Sequence, residues 1–216
     1  MILYLHIPHT GGRVLRIYLW ANGYIDTKVR YVHGTPGITR MLKNGEENSI
    51  YFVLRNPVER IIGEFLHYSD LLKKHGMVGH LWLHKIEEKF PDFDPTDPYQ
   101  YIKVESGHNL CCKYLLLRTD FNLPITDDDF SSLKEKLNDM KFDLYETPLT
   151  HPVLAEMLNI DKNILIEGLE NTPIQSLVIP DKKYKESLLS NLYLINKIEE
   201  YNTYDIKLFN LLTKQK

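Results

Sequence analysis

A pair of glycines near the start of the chain follows a short apolar run and precedes an amphipathic stretch. The run is Ile2–His6, and the segment His6-Ile7-Pro8-His9-Thr10-Gly11-Gly12 leads from it into residues 13–21. A strand, a tight glycine loop and a helix in this order direct backbone N–H groups and the positive end of a helix dipole at a bound anion. No Gly-Lys-Ser/Thr sequence follows the glycines, so the pattern gives little support to hydrolysis of ATP or GTP.

A second segment places an arginine directly after another apolar run. Ser49–Leu54 predicts a buried parallel strand, Arg55 follows it, and Pro57 stands where a proline opens a helix. Open α/β sheets bind their ligands at the carboxyl ends of their strands. Because the guanidinium group suits forked recognition of phosphate and sulfate oxygens, Arg55 is a candidate for binding the same anion as the glycine loop.

The distribution of charge also indicates an anion site in the N-terminal part. The net charge of the chain is −3, yet residues 1–60 contain eight basic and four acidic residues, and six of the seven arginines. A nucleic-acid surface would spread basic residues more widely, so the pattern argues against a nucleic-acid partner. The hydrophobic content of 43% and charged content of 25% are those of an ordinary globular protein.

The predicted elements alternate between strands and helices. Strands are predicted at Ile2–His6, Lys28–His33, Ser49–Leu54, Phe142–Tyr145 and Ile164–Glu167, and helices at Arg13–Ala21, Val58–Lys74, Val78–Lys89, His108–Leu117, Asp127–Met140 and Leu188–Leu212. This order predicts an α/β fold with a mostly parallel central sheet and a helical C-terminal half. Since no clean linker interrupts the 216 residues, we expect a single domain over 1–216.

The expected cellular location and the expected absence of a metal depend on features that the sequence does not contain. It contains no apolar run long enough for a membrane helix and no signal peptide, so we expect a cytoplasmic protein without membrane insertion. Cys111 and Cys112 are adjacent and predict two buried thiols rather than a disulfide or a zinc site. No carboxylate or thiolate completes a ligand set with His6, His9 and His33, so we expect no metal.

Together the two N-terminal segments resemble the sulfotransferases that use 3′-phosphoadenosine 5′-phosphosulfate (PAPS), in particular the carbohydrate (heparan sulfate) 2-O-sulfotransferase-like branch. The family motifs His-Ile-Pro-Lys-Thr-Gly-Gly-Thr-Ser and Leu-Arg-Asp/Asn-Pro-Val-x-Arg-x-x-Ser stand here as His6–Val14 and Leu54–Gly63. Softer similarities lie at Phe142–Tyr145, Leu154–Leu158 and Asn202–Phe209. The resemblance implies a P-loop-NTPase-like three-layer sandwich that transfers a sulfuryl group from PAPS to an acceptor hydroxyl, most readily on a glycan, without a metal.

The resemblance also implies which residues bind the cofactor. The 5′-phosphosulfate loop falls on His9, Thr10, Gly11, Gly12, Arg13 and Val14, and the 3′-phosphate site falls on Arg55 and Gly63. His9 replaces the family lysine, Arg13-Val14 replaces Thr-Ser, and Gly63 replaces a serine, although Arg13 supplies a positive charge. These departures leave two alternatives: a catalytically impaired protein that binds PAPS or another nucleotide, and a small P-loop-like kinase, which the missing lysine disfavours.

Two histidines are the candidate catalytic residues. In that branch a Gly-His pair lies between the two motifs and supplies the general base, and His33 in Tyr31-Val32-His33-Gly34 is the best match, in reversed order. His33 ends a predicted strand at the same sheet edge as Arg55, and a purely structural histidine is the alternative. His9 is expected to offset charge on the leaving phosphate, and Glu59 and His67 are the next residues to test.

Tyrosines in a proline-punctuated loop are the candidate acceptor contacts. Tyr99 and Tyr101 follow Pro91, Pro95 and Pro98, and their rings can stack on a sugar. The alternative is that both rings, like most of the fourteen tyrosines, belong to the core or its rim.

Overall fold

Four short apolar segments form one parallel β-sheet. They are β1 (Ile2–His6), β2 (Val29–His33), β3 (Ser49–Leu54) and β4 (Met140–Leu144), and their order across the sheet is β2-β1-β3-β4. Leu5 of β1 lies opposite Val32 on one side and Phe52 on the other, and Phe52 lies opposite Phe142. Because every pairing is parallel, the carboxyl ends of the four strands lie at the same edge of the sheet.

The structure is a computed structural model that describes residues 1–33, 49–75, 93–94, 96–145, 150–173 and 181–214, without the side chains of residues 33, 71–75 and 106. The helix predicted at Val78–Lys89 lies outside the described residues, as does Gly34, which follows the candidate base His33.

The rest of the described chain is mainly helical. The α-helices are α1 (Gly12–Ala21), α2 (Pro57–His75), α3 (Pro98–Tyr101), α4 (Leu110–Leu115), α5 (Asp127–Lys136), α6 (Pro152–Leu158), α7 (Lys162–Glu170), α8 (Lys182–Leu189), α9 (Leu192–Tyr201) and α10 (Thr203–Thr213). Short 3-10 turns lie at Glu105–Gly107 and Leu137–Asp139. The α/β class and the helical C-terminal half are confirmed.

Helices cover both faces of the sheet. Alternate strand residues point to opposite faces, so Tyr4 and Tyr51 pack with α1, α6 and α7, whereas Leu5 and Phe52 pack with α4, α5 and α10. A further apolar cluster joins α2 to α3, α8 and α9. Burying one such large side chain stabilises the fold by about 1.5–3 kcal/mol. Packing on both faces therefore holds the sheet in place, including the edge where the predicted site lies.

Three of the predicted elements were wrong in type or extent. The predicted strand Ile164–Glu167 lies inside α7, because Leu165 and Leu169 bury an i, i+4 stripe and the Asp161 carboxylate caps the helix. The predicted helix Asp127–Met140 ends at Lys136, and Met140 already belongs to β4. The predicted helix Leu188–Leu212 is divided among α8, α9 and α10.

The C-terminal segment that resembles the family connects α10 to the start of α4 through hydrogen bonds. The Asp205 carboxylate is fully buried and accepts hydrogen bonds from the backbone N–H groups of Cys111 and Cys112, at 3.0 and 2.9 Å. The Asn109 side-chain oxygen in turn accepts from the N–H groups of Tyr204 and Asp205. Both cysteines are buried free thiols, as predicted. These residues therefore join two helices and lie in the core.

In the part of the chain that the structure describes, no helix combines the length and the apolarity needed to cross a bilayer.

Candidate anion-binding site

The loop between β1 and α1 turns sharply at two residues in the left-handed backbone region. His9 has φ 63° and Gly11 has φ 82°, and the buried Thr10 hydroxyl between them donates a hydrogen bond to the Ile7 carbonyl at 2.7 Å. Glycine adopts such angles without strain, whereas a residue with a side chain pays on the order of 1 kcal/mol. The strained His9 conformation is thus held in place by the surrounding loop.

The second glycine is required by the close approach of His6. A Cβ on Gly12 would lie 2.1 Å from His6 Cδ2 and 2.8 Å from the Tyr4 hydroxyl, distances at which no side chain fits. The His6 ring is held by a 2.5 Å hydrogen bond between its Nδ1 and the Tyr31 hydroxyl. His6 therefore packs beneath the start of α1 and positions the loop.

The N-terminus of α1 differs from those of the other described helices. In each of α2–α10 a side-chain oxygen accepts a hydrogen bond from a first-turn N–H; the acceptors are Asn56, Asp97, Asp205, Thr126, Asp143, Asp161, Asp181, Asn191 and Asn109. Within the described residues, no side chain does so for α1, whose N-cap is Gly11. No side chain in the described ranges therefore competes with an external anion for these N–H groups.

Arg55 lies beside this loop, at the end of β3. Its Nη1 donates to the His9 carbonyl at 3.3 Å, and its Nε and Nη2 each lie 3.4 Å from Glu59 Oε2. Its Cζ lies 4.5 Å from the centre of the Tyr145 ring. Tyr145 reaches this position because its N–H donates to the Leu54 carbonyl at 2.7 Å, which continues the β3–β4 pairing beyond β4. The Arg55 side chain is only 12% exposed and is therefore well positioned.

The two positions that resemble the 3′-phosphate site are neighbours in space. A Cβ placed on Gly63, two turns into α2, would lie 3.4 Å from Arg55 Nη1, which is an ordinary van der Waals contact. Gly63 offers no hydroxyl, but the space beside Arg55 accepts a small side chain.

His9 is neutral in the unliganded protein at neutral pH. Its partly buried ring lies 5.4 Å from the His67 ring and 5.6 Å from the Tyr68 ring. Burial lowers the pKa of His9 well below its usual value, and electrostatic interactions with the side chains of Arg60, His67, His6 and Arg55 lower this pKa further. A cationic role for His9 therefore requires a bound anion that raises this pKa.

Arg60 is a fully buried cation near the loop that the sequence analysis did not single out. Its Nη1 donates to Glu64 at 2.8 Å, while its Nε and Nη2 are buried and have no hydrogen-bond partner among the described residues. Burial alone would lower the pKa of Arg60, but Glu64, Cys111 and Asp205 outweigh it and raise the pKa. The sequence did contain a signal for Arg60, because this residue lies five positions after Arg55 in the same motif.

The remaining predicted site residues divide into three groups. Arg13 is exposed at the start of α1. The side chain of Val14 packs against the core, so Val14 can contact a ligand only through its backbone N–H. The backbone of His33 ends β2 opposite His6, at the predicted sheet edge, but its side chain lies outside the described residues. Of the two candidate acceptor tyrosines, Tyr99 is partly exposed, whereas Tyr101 is buried against Phe65 and belongs to the core, which was the alternative for it.

The described residues contain no group of three or more His, Cys, Asp or Glu side chains arranged to hold a metal ion. Comparison with protein families, with curated proteins and with solved structures returned no match. The resemblance to sulfotransferases therefore rests on the two sequence motifs. The geometry shows a glycine loop, a helix N-terminus that no described side chain caps, and an adjacent arginine.

Proposed function

We propose that this chain is a sulfotransferase that moves a sulfuryl group from PAPS to a hydroxyl of a carbohydrate acceptor. The observation that supports it most is the open N-terminus of α1 with Arg55 hydrogen-bonded to the His9 carbonyl of the same loop. This arrangement offers donors for two separate anionic groups a short distance apart, which a nucleotide with a 5′ and a 3′ phosphate supplies. The proposal includes a P-loop-NTPase-like architecture, in which the loop after the central strand β1 binds the phosphosulfate.

The residues present fit the donor in part. The N–H groups at Gly12, Arg13 and Val14 bind the phosphosulfate oxygens, and the exposed Arg13 side chain adds positive charge. Arg55 binds the 3′-phosphate once Glu59, which faces two of its donor nitrogens, moves aside. PAPS supplies a sulfuryl group already activated by its bond to phosphate.

The histidines have separate roles in this proposal. His33, at the end of β2, removes the proton from the acceptor hydroxyl. His9 is neutral before the donor binds, so it donates a hydrogen bond, and the charge of the bound phosphosulfate raises its pKa toward the cationic form. Arg60 remains buried and adds positive potential beneath the loop.

A second candidate is a protein that binds the nucleotide without transferring sulfate. The depressed pKa of His9 and the absence of a side chain at Gly63 favour it, because both remove polar contacts that a donor would otherwise receive. The kinase alternative receives no such support, since the loop contains no lysine.

One pair of measurements tests these candidates. Thermal stability is measured with adenosine 3′,5′-bisphosphate and with ATP, and transfer from labelled PAPS is then measured on a panel of glycans. Selective stabilisation by the bisphosphate together with transfer supports the sulfotransferase. Selective stabilisation without transfer to any glycan supports the second candidate, stabilisation by ATP alone supports a kinase, and no stabilisation by either nucleotide overturns the proposed site.

A further inference from the structure

A surface groove of about 580 Å³ runs between α1 and α7, on the outer side of the layer that these helices form over the sheet. Its exposed or partly exposed apolar residues are Ile17, Trp20, Ala21, Ile164 and Pro173. Trp20 and Ile164 stand on opposite sides of the groove and are 73% and 62% exposed. Two large apolar side chains this exposed beside one groove are typical of a surface that contacts another protein.

The two helices that carry the groove are firmly packed against each other. A Cβ on Gly168 would lie 2.2 Å from Cε2 of the Tyr18 ring, a distance at which no side chain fits. The Thr172 hydroxyl donates a hydrogen bond to the Gly168 carbonyl at 2.7 Å. The groove is therefore a preformed surface, and a partner can bind it without a change in the backbone.

The two sides of the groove carry opposite charges. Arg13 and Arg16 are exposed on α1, which contains no acidic residue. Glu167 and Glu170 are exposed on α7, whose only basic residue is Lys162, so this side stays negative. Within the part of the chain that the structure describes, neither arginine and neither glutamate forms an ion pair. All four charges can therefore pair with charges on a partner.

A second copy of this chain matches the apolar patch and both charged sides at once. A two-fold axis along the groove would place α1 of each copy against α7 of the other. Trp20 of each copy would then meet Ile164 of the other, and Arg16 would face the other copy's Glu167 and Glu170. A partner with a surface of one sign, such as a nucleic acid or an acidic peptide, would leave one side of the groove against a like charge.

We propose that the groove between α1 and α7 is the interface of a symmetric homodimer, with α1 of each copy packed against α7 of the other. The inference goes beyond the proposed function, because this contact requires neither PAPS nor sulfuryl transfer.

The first test measures the mass of the full chain in solution. Sedimentation velocity from about 1 μM to about 100 μM should show a shift from one chain to two, since interfaces of this kind associate in the micromolar range or more tightly. Trp20→Ser should weaken dimerisation by about tenfold or more, as expected for a tryptophan at the centre of an interface. Leu192→Ser is the matched control, because Leu192 is also 73% exposed and lies outside the groove.

The second test exchanges the charges between the two sides. Arg16→Glu and the double variant Glu167→Lys/Glu170→Lys each place like charges face to face across the axis, so each protein by itself should be monomeric over the same concentrations. An equimolar mixture of the two restores opposite charges on both sides of the axis and should form a dimer again. Circular-dichroism melting verifies that every variant is folded, which is expected because the changed side chains are exposed.

Three results would overturn the proposal. The first is a parent chain that remains monomeric at every concentration, which would leave the groove to a different protein. The second is a dimer that Trp20→Ser does not weaken, since its interface would then lie elsewhere. The third is a mixture of the charge variants that stays monomeric, because the two-fold arrangement requires their charges to match.

Discussion

The N-termini of α1 and α4 present similar backbone groups but have different partners. At α4 the buried Asp205 carboxylate accepts from two first-turn N–H groups, and at α6 the buried Asp143 carboxylate does the same. At α1 no carboxylate of the described chain fills that place. A helix end capped from within contributes to stability, whereas an end left open at a sheet edge can bind an external anion. The comparison predicts that substitutions at α4 change folding and substitutions at α1 change binding.

The largest expected effect is on folding, from Asp205→Ala. This change leaves the buried N–H groups of Cys111 and Cys112 without acceptors and removes a negative charge near Arg60, so we expect a loss of ~3–5 kcal/mol in the free energy of unfolding. Urea denaturation measures it. Asp181→Ala removes an exposed cap of α8 and should cost only about 1 kcal/mol. Equal losses in the two variants would show that burial of the α4 cap adds nothing.

The next effect is on binding, from Arg55→Ala. Losing a charge-assisted hydrogen bond should weaken binding of adenosine 3′,5′-bisphosphate by ~1.5–3 kcal/mol, roughly tenfold or more, and leave adenosine 5′-monophosphate nearly unchanged. Isothermal titration measures both ligands. Arg16→Ala, which removes a cation above the Tyr31 ring, is the control. Equally weakened binding of the two nucleotides would show that Arg55 does not bind the 3′-phosphate.

The third effect is on the pH dependence of stability, through His9. The pKa of His9 is lower in the folded protein than in the unfolded chain, so the unfolded state binds more protons and stability falls as pH drops below about 6.5. One such proton contributes up to ~1.4 kcal/mol per pH unit between the unfolded and the folded pKa. His9→Gln should reduce this slope by about one proton in urea denaturation at pH 5–7. An unchanged slope would mean that His9 titrates normally and that the loop does not desolvate it.

The smallest effect is a gain in binding from Gly63→Ser. The new Cβ lies 3.4 Å from Arg55 Nη1 without a clash, and its hydroxyl can add one hydrogen bond to an anion held by Arg55. We expect about 0.5–1.5 kcal/mol tighter binding of adenosine 3′,5′-bisphosphate, a few-fold to about tenfold. Gly107→Ser, at a glycine with open space around it, is the matched control. Weaker binding by Gly63→Ser would show that the space beside Arg55 is already needed by the ligand.

Residues that are close in sequence were the predictable part of the site. The glycine loop and Arg55 were predicted because each directly follows an apolar strand, and parallel strands bring their ends to one edge. Tyr145 was missed as a contact of Arg55, since it directly follows β4, about ninety residues further along the chain. The two buried nitrogens of Arg60 that have no hydrogen-bond partner in the described ranges were missed for the same reason, because burial depends on which helices pack over α2.

The sequence by itself determined the elements whose apolar pattern is strong: β1, β3, α1 and the start of α2 lie where the pattern predicts them. It also determined which residues lie at the edge of the sheet, because the glycine loop directly follows β1 and Arg55 directly follows β3. Only the tertiary structure decided that Ile164–Glu167 is helical, that Tyr101 is buried while Tyr99 is not, and that His9 is neutral. Each of these depends on which distant side chains exclude water from a residue, and local sequence does not specify that exclusion.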